Sequence, residues 1–147
     1  KPVSTPVSAL DLLPTFCALA NAEVPADLVL DGENFLPALE GKQVVRKKPL
    51  VWAYFNALNK ARVAMRHGQW KVLAKLNGGK LAKLQNVTNE NARLVRDASL
   101  TDIELYDLSK DVGESTNVAD QDPARTAKLK AMLEQQYREL VKGSHVW

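Results

Sequence analysis

The side chains best equipped to hold an anion stand together in the stretch "VAMRHGQWKVL": Arg66, His67 and Lys71. A guanidinium, an imidazole and an ammonium around one turn can grip a sulfate, phosphate or carboxylate through charge-assisted hydrogen bonds. Taken by residue type alone, the same three are also ordinary surface charges flanking a turn. Cys17 is the single cysteine, so no intrachain disulfide can form. Its apolar neighbours in "TFCALAN" describe a small buried thiol and not an activated nucleophile. His67 in a turn and His145 near the chain end both read as solvent-exposed imidazoles. Carboxylates cluster at Asp31 with Glu33 and at Asp107 with Asp111, but a hard cation such as calcium takes about six to eight oxygens. These acids read as turn and cap residues instead. No residue is assigned as catalytic and none as a metal ligand.

The elements that must position these groups follow from periodicity. Ser8 to Ala22 is apolar on a helical period, with Leu12, Phe16 and Leu19 on one stripe. Ser8 and Asp11 have capping-box spacing, and a start at Asp11 would put Pro14 harmlessly in the first turn. A helix with so little polar face needs more than one neighbour to cover it. From Glu23 to Lys48 proline and glycine punctuate short apolar pieces, leaving a connector with a helical turn at Phe35 to Leu39. After Pro49 the period changes. "PLVWAYF", "ARVAMR" and "QWKVLAKL" predict strands, the last two joined by a tight turn at His67-Gly68, and "KLAKLQ" could add a short further strand. Trp70, Val72, Ala74 and Leu76 share one face, which makes Trp70 a core residue. On "VWAYF", either Trp52 with Tyr54 or Val51 with Ala53 and Phe55 could face inward. "TNENARLVRDAS" predicts a brief helix capped by Thr88, and "IELYDL" a strand with Leu105 inward and Tyr106 on the opposite face.

The polar run after that strand reads as a structural corner. Asp107, Ser109 and Asp111 are residues that bond their own backbone in turns, Gly113 permits a positive φ, and Asn117 can cap or tie the exit. Asp122-Pro123 then starts a long amphipathic helix that Gly143 ends, with Leu129, Leu133, Gln136, Tyr137 and Leu140 on its stripe and Met132 and Val141 at the margins. The fold class is therefore α+β: a small antiparallel sheet of about four strands packed against a long C-terminal helix, preceded by a helix and connector.

At 147 residues, 46% hydrophobic and 25% charged, the composition is that of an ordinary globular protein. The net charge of +3 gives no reason to expect a nucleic-acid partner. The densest basic run, Arg46-Lys47-Lys48, reads as a solvated linker. No apolar stretch approaches the roughly 20 residues of a bilayer span, so no membrane partner is expected, and "KPVSTPVSALDLLP" lacks the pattern of a signal peptide.

Four stretches, in order, carry a family likeness. "VSALDLLPTFCALANAEVPADLVLDGENFLPALEGK" resembles the sulfatase pattern S-x-x-D-L-x-P-T followed by D-G-x-x-x-x-P-x-L-x-G, met here by Ser8, Asp11, Leu12, Pro14 and Thr15, then Asp31, Gly32, Pro37, Leu39 and Gly41. "KPLVWAY", "VAMRHGQWKVL" and "ELYDLSKDVGESTNVA" are similar to that family's K-P-L-x-W strand, R-x-G-x-W-K-L hairpin and closing motif, with Val112 where the family has proline and Val72 for a common leucine. The resemblance is to the C-terminal portion of a sulfatase of the arylsulfatase A type, in the alkaline phosphatase superfamily. It implies that residues 1–48 are the last helix and connector of a catalytic α/β domain that is otherwise missing, and 49–147 the C-terminal domain. It implies a longer enzyme hydrolysing sulfate esters with calcium and formylglycine, and a sulfated small molecule or carbohydrate as substrate. A periplasmic, secreted or lysosomal setting would go with it. Cys17 does not match the family's C-x-P-S-R context, so the chain itself is expected to hold no cofactor and to be catalytically inactive. On the family's hairpin, Arg66, His67 and Lys71 become the candidate substrate contacts. The alternative is an autonomous carbohydrate- or protein-binding module using Trp52, Tyr54, Trp70 and Arg66.

Overall fold

The computed structural model of the chain describes residues 5–55, 60–81, 84 and 86–143. The chain divides into two compact units, Lys1–Leu50 and Val51–Trp147.

In the first unit a 3-10 turn, Ala9–Asp11, leads into helix α1, Leu12–Leu19, and a single turn, α2, covers Leu36–Leu39. The expected capping box forms: Ser8 Oγ accepts the Leu10 amide at 3.3 Å, and Asp11 Oδ2 accepts the Ser8 amide at 2.7 Å. Pro14 falls in the first turn of α1, where an N–H has no intrahelical partner to lose. The D-G loop is joined to this helix start. Asp11 Oδ1 accepts the Glu33 amide at 2.8 Å, while the Thr15 hydroxyl donates to the Asp11 carbonyl at 2.7 Å and accepts the Phe35 amide at 3.0 Å. Gly32 permits the approach, because a Cβ at that position would lie 1.9 Å from the Leu10 carbonyl oxygen.

The basic run is a solvated linker only in part: Lys47 and Lys48 are exposed, but Arg46 is not. The Arg46 side chain is 8% exposed, and its Nη1 donates to Asp11 Oδ2 at 2.6 Å. The Glu33 carboxylate accepts the amides of Lys47 and Lys48, at 2.9 and 2.6 Å, and Lys48 Nζ bonds the Leu30 carbonyl. Local charge reading missed this because the compensating carboxylate of Arg46 lies 35 residues upstream. The apolar residues of α1 behave differently. Pro14 and Thr15 are buried, whereas Leu12, Leu13, Phe16 and Leu19 are exposed.

The sheet has the order β1-β2-β3-β4, built from Leu50–Tyr54, Arg62–His67, Trp70–Leu76 and Leu100–Asp107. β2 and β3 pair antiparallel, with His67 opposite Trp70, so the hairpin loop is Gly68-Gln69. Gly68 has φ +60°, which a II′-type hairpin asks of its first central residue. β3 and β4 are also antiparallel, with a bulge on β4 between the Leu73–Glu104 and Lys75–Thr101 pairs. Asp102 sits in that bulge at φ +49°, a conformation Asp tolerates better than most residues.

One sheet face carries the core. Val63, Met65, Val72, Ala74, Leu76 and Leu105 are buried there, with Val51, Ala53, Phe55 and Trp70 packed against them. This settles the open strand: Trp52 and Tyr54 face outward. Helix α4, Pro123–Gly143, covers the core face with Leu129, Leu133, Tyr137 and Val141. The stripe thus follows a straight i, i+4 row, so Val141 is buried and Leu140, expected on the stripe, is 37% exposed. Asp122 caps the helix by accepting the Arg125 amide at 3.0 Å. The short helix α3, Ala92–Arg96, has Asn91 and not Thr88 as its N-cap. Thr88 stands one turn earlier, donating its amide to Asn91 Oδ1 at 2.8 Å and accepting the Ala92 amide on its carbonyl. The Tyr137 hydroxyl donates to the Val95 carbonyl at 2.8 Å and so ties α3 to α4. The short strand expected at Lys80 to Gln85 falls partly outside the described residues, as does His145.

Candidate functional site

The β2–β3 hairpin brings two of its three candidates into direct apposition. Arg66 and Lys71 are cross-strand partners, and both lie on the face away from α4, because Val63 and Met65 on β2 and Val72 and Ala74 on β3 take the core side. His67 is exposed at the end of β2, beside the turn. Arg66 Nε donates to the Gly68 carbonyl at 3.2 Å; the rest of its guanidinium bonds no described residue. Lys71 is differently placed. Its Nζ donates to both carboxylate oxygens of Glu114, at 2.5 and 2.7 Å, so an internal anion already answers its charge.

Beyond Lys71 the row continues to Tyr106 on β4. The Tyr106 hydroxyl donates to Glu104 Oε2 at 2.8 Å, and burial, that bond and the neighbouring carboxylates push its pKa up to about 12. Arg62 lies on the same face with a buried Nε that has no hydrogen-bond partner among the described residues. The strip therefore combines the cations Arg62, Arg66 and Lys71 with the carboxylates of Glu104 and Glu114, and the Arg66 guanidinium is its most available donor. Glu114 and Tyr106 were not among the sequence candidates. Glu114 lies 43 residues from its partner Lys71, so only the fold shows the pairing.

The four residues of the module alternative do not share a face. Trp52 and Tyr54, 46% and 60% exposed, lie on the outer face with Arg66. Trp70 is half-buried on the core face, as its alternation predicted, and the Arg125 guanidinium lies 4.3 Å over its ring.

The acids of the closing turn are structural. Asp107 Oδ1 accepts the Ser109 hydroxyl at 2.6 Å, the Ser109 amide at 3.1 Å and the Gln69 amide nitrogen at 3.1 Å. The Ser109 hydroxyl bond is the largest of the effects that hold its carboxyl below the ordinary range. Asp111 accepts the Thr116 amide at 2.8 Å and the Ser115 hydroxyl at 3.0 Å, and is lowered first by the Thr116 bond. Asn117 ties the exit as expected: its Oδ1 accepts the Leu105 and Ala119 amides, each at 3.0 Å. The positive φ belongs to Glu114, at +54°, and not to Gly113. Among the described residues no three or more His, Cys, Asp or Glu come together in a way that could hold a metal ion. The carboxylates that might serve are already taken by backbone amides and hydroxyls, so calcium does not fit here. Cys17 is half-buried in α1, an apolar setting that does not suit formylglycine chemistry. No described helix is long and apolar enough to cross a membrane.

No family model matches the chain. Human arylsulfatase A is 35% identical over 116 residues, 76% of this chain and 22% of its own length. The N-acetylgalactosamine-6-O-sulfatase of Bacteroides thetaiotaomicron is 28% identical over 127 residues, 86% of this chain and 22% of its own. Among solved structures, Ps i-CgsB, also crystallised in complex with k-i-k-neocarrahexaose, superposes with a TM-score of 0.63 at 27% identity, covering 91% of this chain and 25% of that one. The chain thus spans about a quarter or less of each of these proteins. With the sheet-and-helix architecture described above, these similarities make the chain a C-terminal portion of a sulfatase.

Proposed function

We propose that the chain serves a longer enzyme hydrolysing sulfate esters of carbohydrates, in which the β2–β3 hairpin lines the substrate cleft. On this reading residues 1–48 are the last helix and connector of the catalytic domain, and 49–147 are the C-terminal domain. The exposed Leu12, Leu13, Phe16 and Leu19 of α1 support a scaffolding role, since so apolar a face is stabilised by further packing. Calcium and formylglycine belong to the rest of that enzyme. The chain alone has no turnover, because sulfate hydrolysis needs a positioned nucleophile and preorganised charge, and its described residues supply neither.

The observation that carries the cleft-lining role is the Arg66 guanidinium, which is held at Nε by the turn while its remaining N–H groups bond no described residue. Such a fork matches the oxygens of a sulfate monoester. In the sulfatase that carries this chain, Arg66→Ala is expected to raise KM for a sulfated saccharide about tenfold with a smaller change in kcat, and His67→Ala to act in the same direction. Lys71→Ala should also disturb the Glu114 loop. An unchanged KM in Arg66→Ala would remove the cleft-lining role. Turnover of an aryl sulfate by the isolated chain that disappears in Cys17→Ala would overturn the scaffold reading.

The outward pair Trp52 and Tyr54 favours one second reading, an autonomous carbohydrate-binding module. Titrating sulfated oligosaccharides against tryptophan fluorescence separates the two: saturable quenching that Trp52→Ala abolishes supports the module, and a flat response supports the scaffold.

A further inference from the structure

A second cationic feature lies at the other end of α4. Arg96, at the end of α3, and Arg138, Val141 and Lys142 of α4 line an open cleft of about 520 Å³. That volume is within the roughly 300–1,000 Å³ range of ligand sites. Its three charged lining residues are all cations, and none of them is ion-paired to a described residue. Several other cations of the second unit are paired: Lys71 with Glu114, Lys75 with Asp102, Arg93 with Asp97, Lys110 with Asp107, Arg125 with Asp122 and Lys130 with Glu134. Tyr137 and Val141 are buried, and the hydroxyl of Tyr137 fixes α3 against α4 at the Val95 carbonyl.

We infer that this cleft binds a sulfated segment of an oligosaccharide, with Arg96, Arg138 and Lys142 holding sulfate oxygens. The inference rests on the reading of the chain as part of a sulfatase acting on carbohydrates. Three cations around one cleft, none ion-paired to a described residue, suit a ligand carrying more than one fixed negative charge. Among the described lining residues none is aromatic, whereas a single-stranded nucleic acid would use one for stacking. Trp70, against which Arg125 stacks, marks the hairpin end of α4. At 1.5 Å rise per residue, Arg138 stands about 20 Å farther along the helix axis, so a saccharide chain held in this cleft is read by different residues from one held at Arg66.

The test uses the 147-residue chain and a sulfated carrageenan hexasaccharide, followed by amide chemical shifts and by calorimetry. Saturable shifts are expected at residues 92–97 and 138–143, weakening as salt rises. The desulfated hexasaccharide should give none. The variant Arg96→Gln/Arg138→Gln/Lys142→Gln should lose at least tenfold in affinity. Lys80→Gln/Lys110→Gln/Lys128→Gln, which removes the same charge elsewhere, should lose less than twofold. All six positions are exposed, so both variants should fold, and circular dichroism checks that they do. Equal loss in the two variants would reduce the effect to net charge and overturn the site. Equal affinity for a single-stranded oligonucleotide of the same charge would overturn the saccharide assignment. Shifts confined to residues 62–71 would overturn the cleft while leaving the hairpin reading intact. Shifts nowhere would also overturn it, and the KM of Arg66→Ala would still decide the hairpin separately.

Discussion

Replacing Asp11 by alanine should unfold the first unit while leaving the second standing. The carboxylate accepts three hydrogen bonds, from the Ser8 amide at 2.7 Å, the Glu33 amide at 2.8 Å and Arg46 Nη1 at 2.6 Å. Its side chain is 0% exposed and that of Arg46 is 8% exposed, so solvent cannot replace what is lost. Arg46 Nη2 is already buried without a partner among the described residues, and removing Asp11 leaves the guanidinium only the Lys48 and Pro6 carbonyls, at 3.4 and 3.5 Å, and no opposite charge. Breaking a buried pair on one side costs about 3–5 kcal/mol. A whole domain has only about 5–15 kcal/mol to lose. The assay must be local, because the tryptophans at 52, 70 and 147 and every tyrosine belong to the second unit, and intrinsic fluorescence is blind to the first. Hydrogen exchange in peptides covering residues 8–19 and 33–48 should accelerate by two orders of magnitude or more, with residues 62–76 and 123–143 unchanged. Asp11→Asn, which keeps one acceptor oxygen and loses the charge, should fall between. Exchange in the first unit that rises less than about fivefold in Asp11→Ala, equivalent to about 1 kcal/mol, would refute the reasoning.

Gly32→Ala should be as damaging to the same peptides, since its Cβ would sit 1.9 Å from the Leu10 carbonyl oxygen and backbone on both sides would have to move; a normal exchange pattern would show that the D-G loop is not held against α1. Tyr137→Phe removes the bond to the Val95 carbonyl and leaves that acceptor buried, which should lower the second unit's stability by about 1–3 kcal/mol in urea unfolding followed by fluorescence. Acid should destabilise both units. Burial raises the pKa of Asp11, but its bonds to Arg46 and to the Glu33 and Ser8 amides outweigh that, so Asp11, like Asp107 and Asp111, titrates below the ordinary value. A lowered folded pKa contributes stability that is complete above the unfolded value near 3.9 and disappears as pH falls through the folded one. Urea midpoints should therefore be flat from about pH 7 to 5 and drop below about pH 4, and midpoints that rise on acidification would contradict the assigned bonds.

The strands, the hairpin and the terminal helix were legible because each is encoded by residues next to one another. Val72, Ala74 and Leu76 alternate, Gly68 takes the turn, and Asp122-Pro123 opens α4. The capping box at Ser8 and Asp11 was legible for the same reason. What failed was whatever depends on a partner far along the chain. Arg46 looked like one charge in a basic run and is a buried group paired across 35 residues. Asp11 looked like a cap and is also the acceptor for the Glu33 amide, which joins two sequence motifs that spacing presents as separate. Val141 and Leu140 exchanged roles because a stripe read in sequence leaves open which i, i+4 row the sheet selects.

The candidate site follows the same rule, and the rule ranks its members. Residue type put Arg66, His67 and Lys71 on equal terms, since each is cationic or can become so. The fold separates them by what each already bonds. Lys71 is held by both oxygens of Glu114, so using it for a ligand means breaking an internal ion pair or sharing it. His67 is exposed, and Arg66 gives up only its Nε to the Gly68 carbonyl. A guanidinium steadied at one nitrogen, with four N–H groups still directed elsewhere, is better prepared for an oxyanion than an ammonium already in contact with a carboxylate. Arg96, Arg138 and Lys142 are brought together only by the packing of α3 and α4, and motif reading passed over them because they belong to two helices and to no recognisable pattern. What sets these three apart is that they share one cleft and none is ion-paired to a described residue, so an anionic ligand meets little internal competition there.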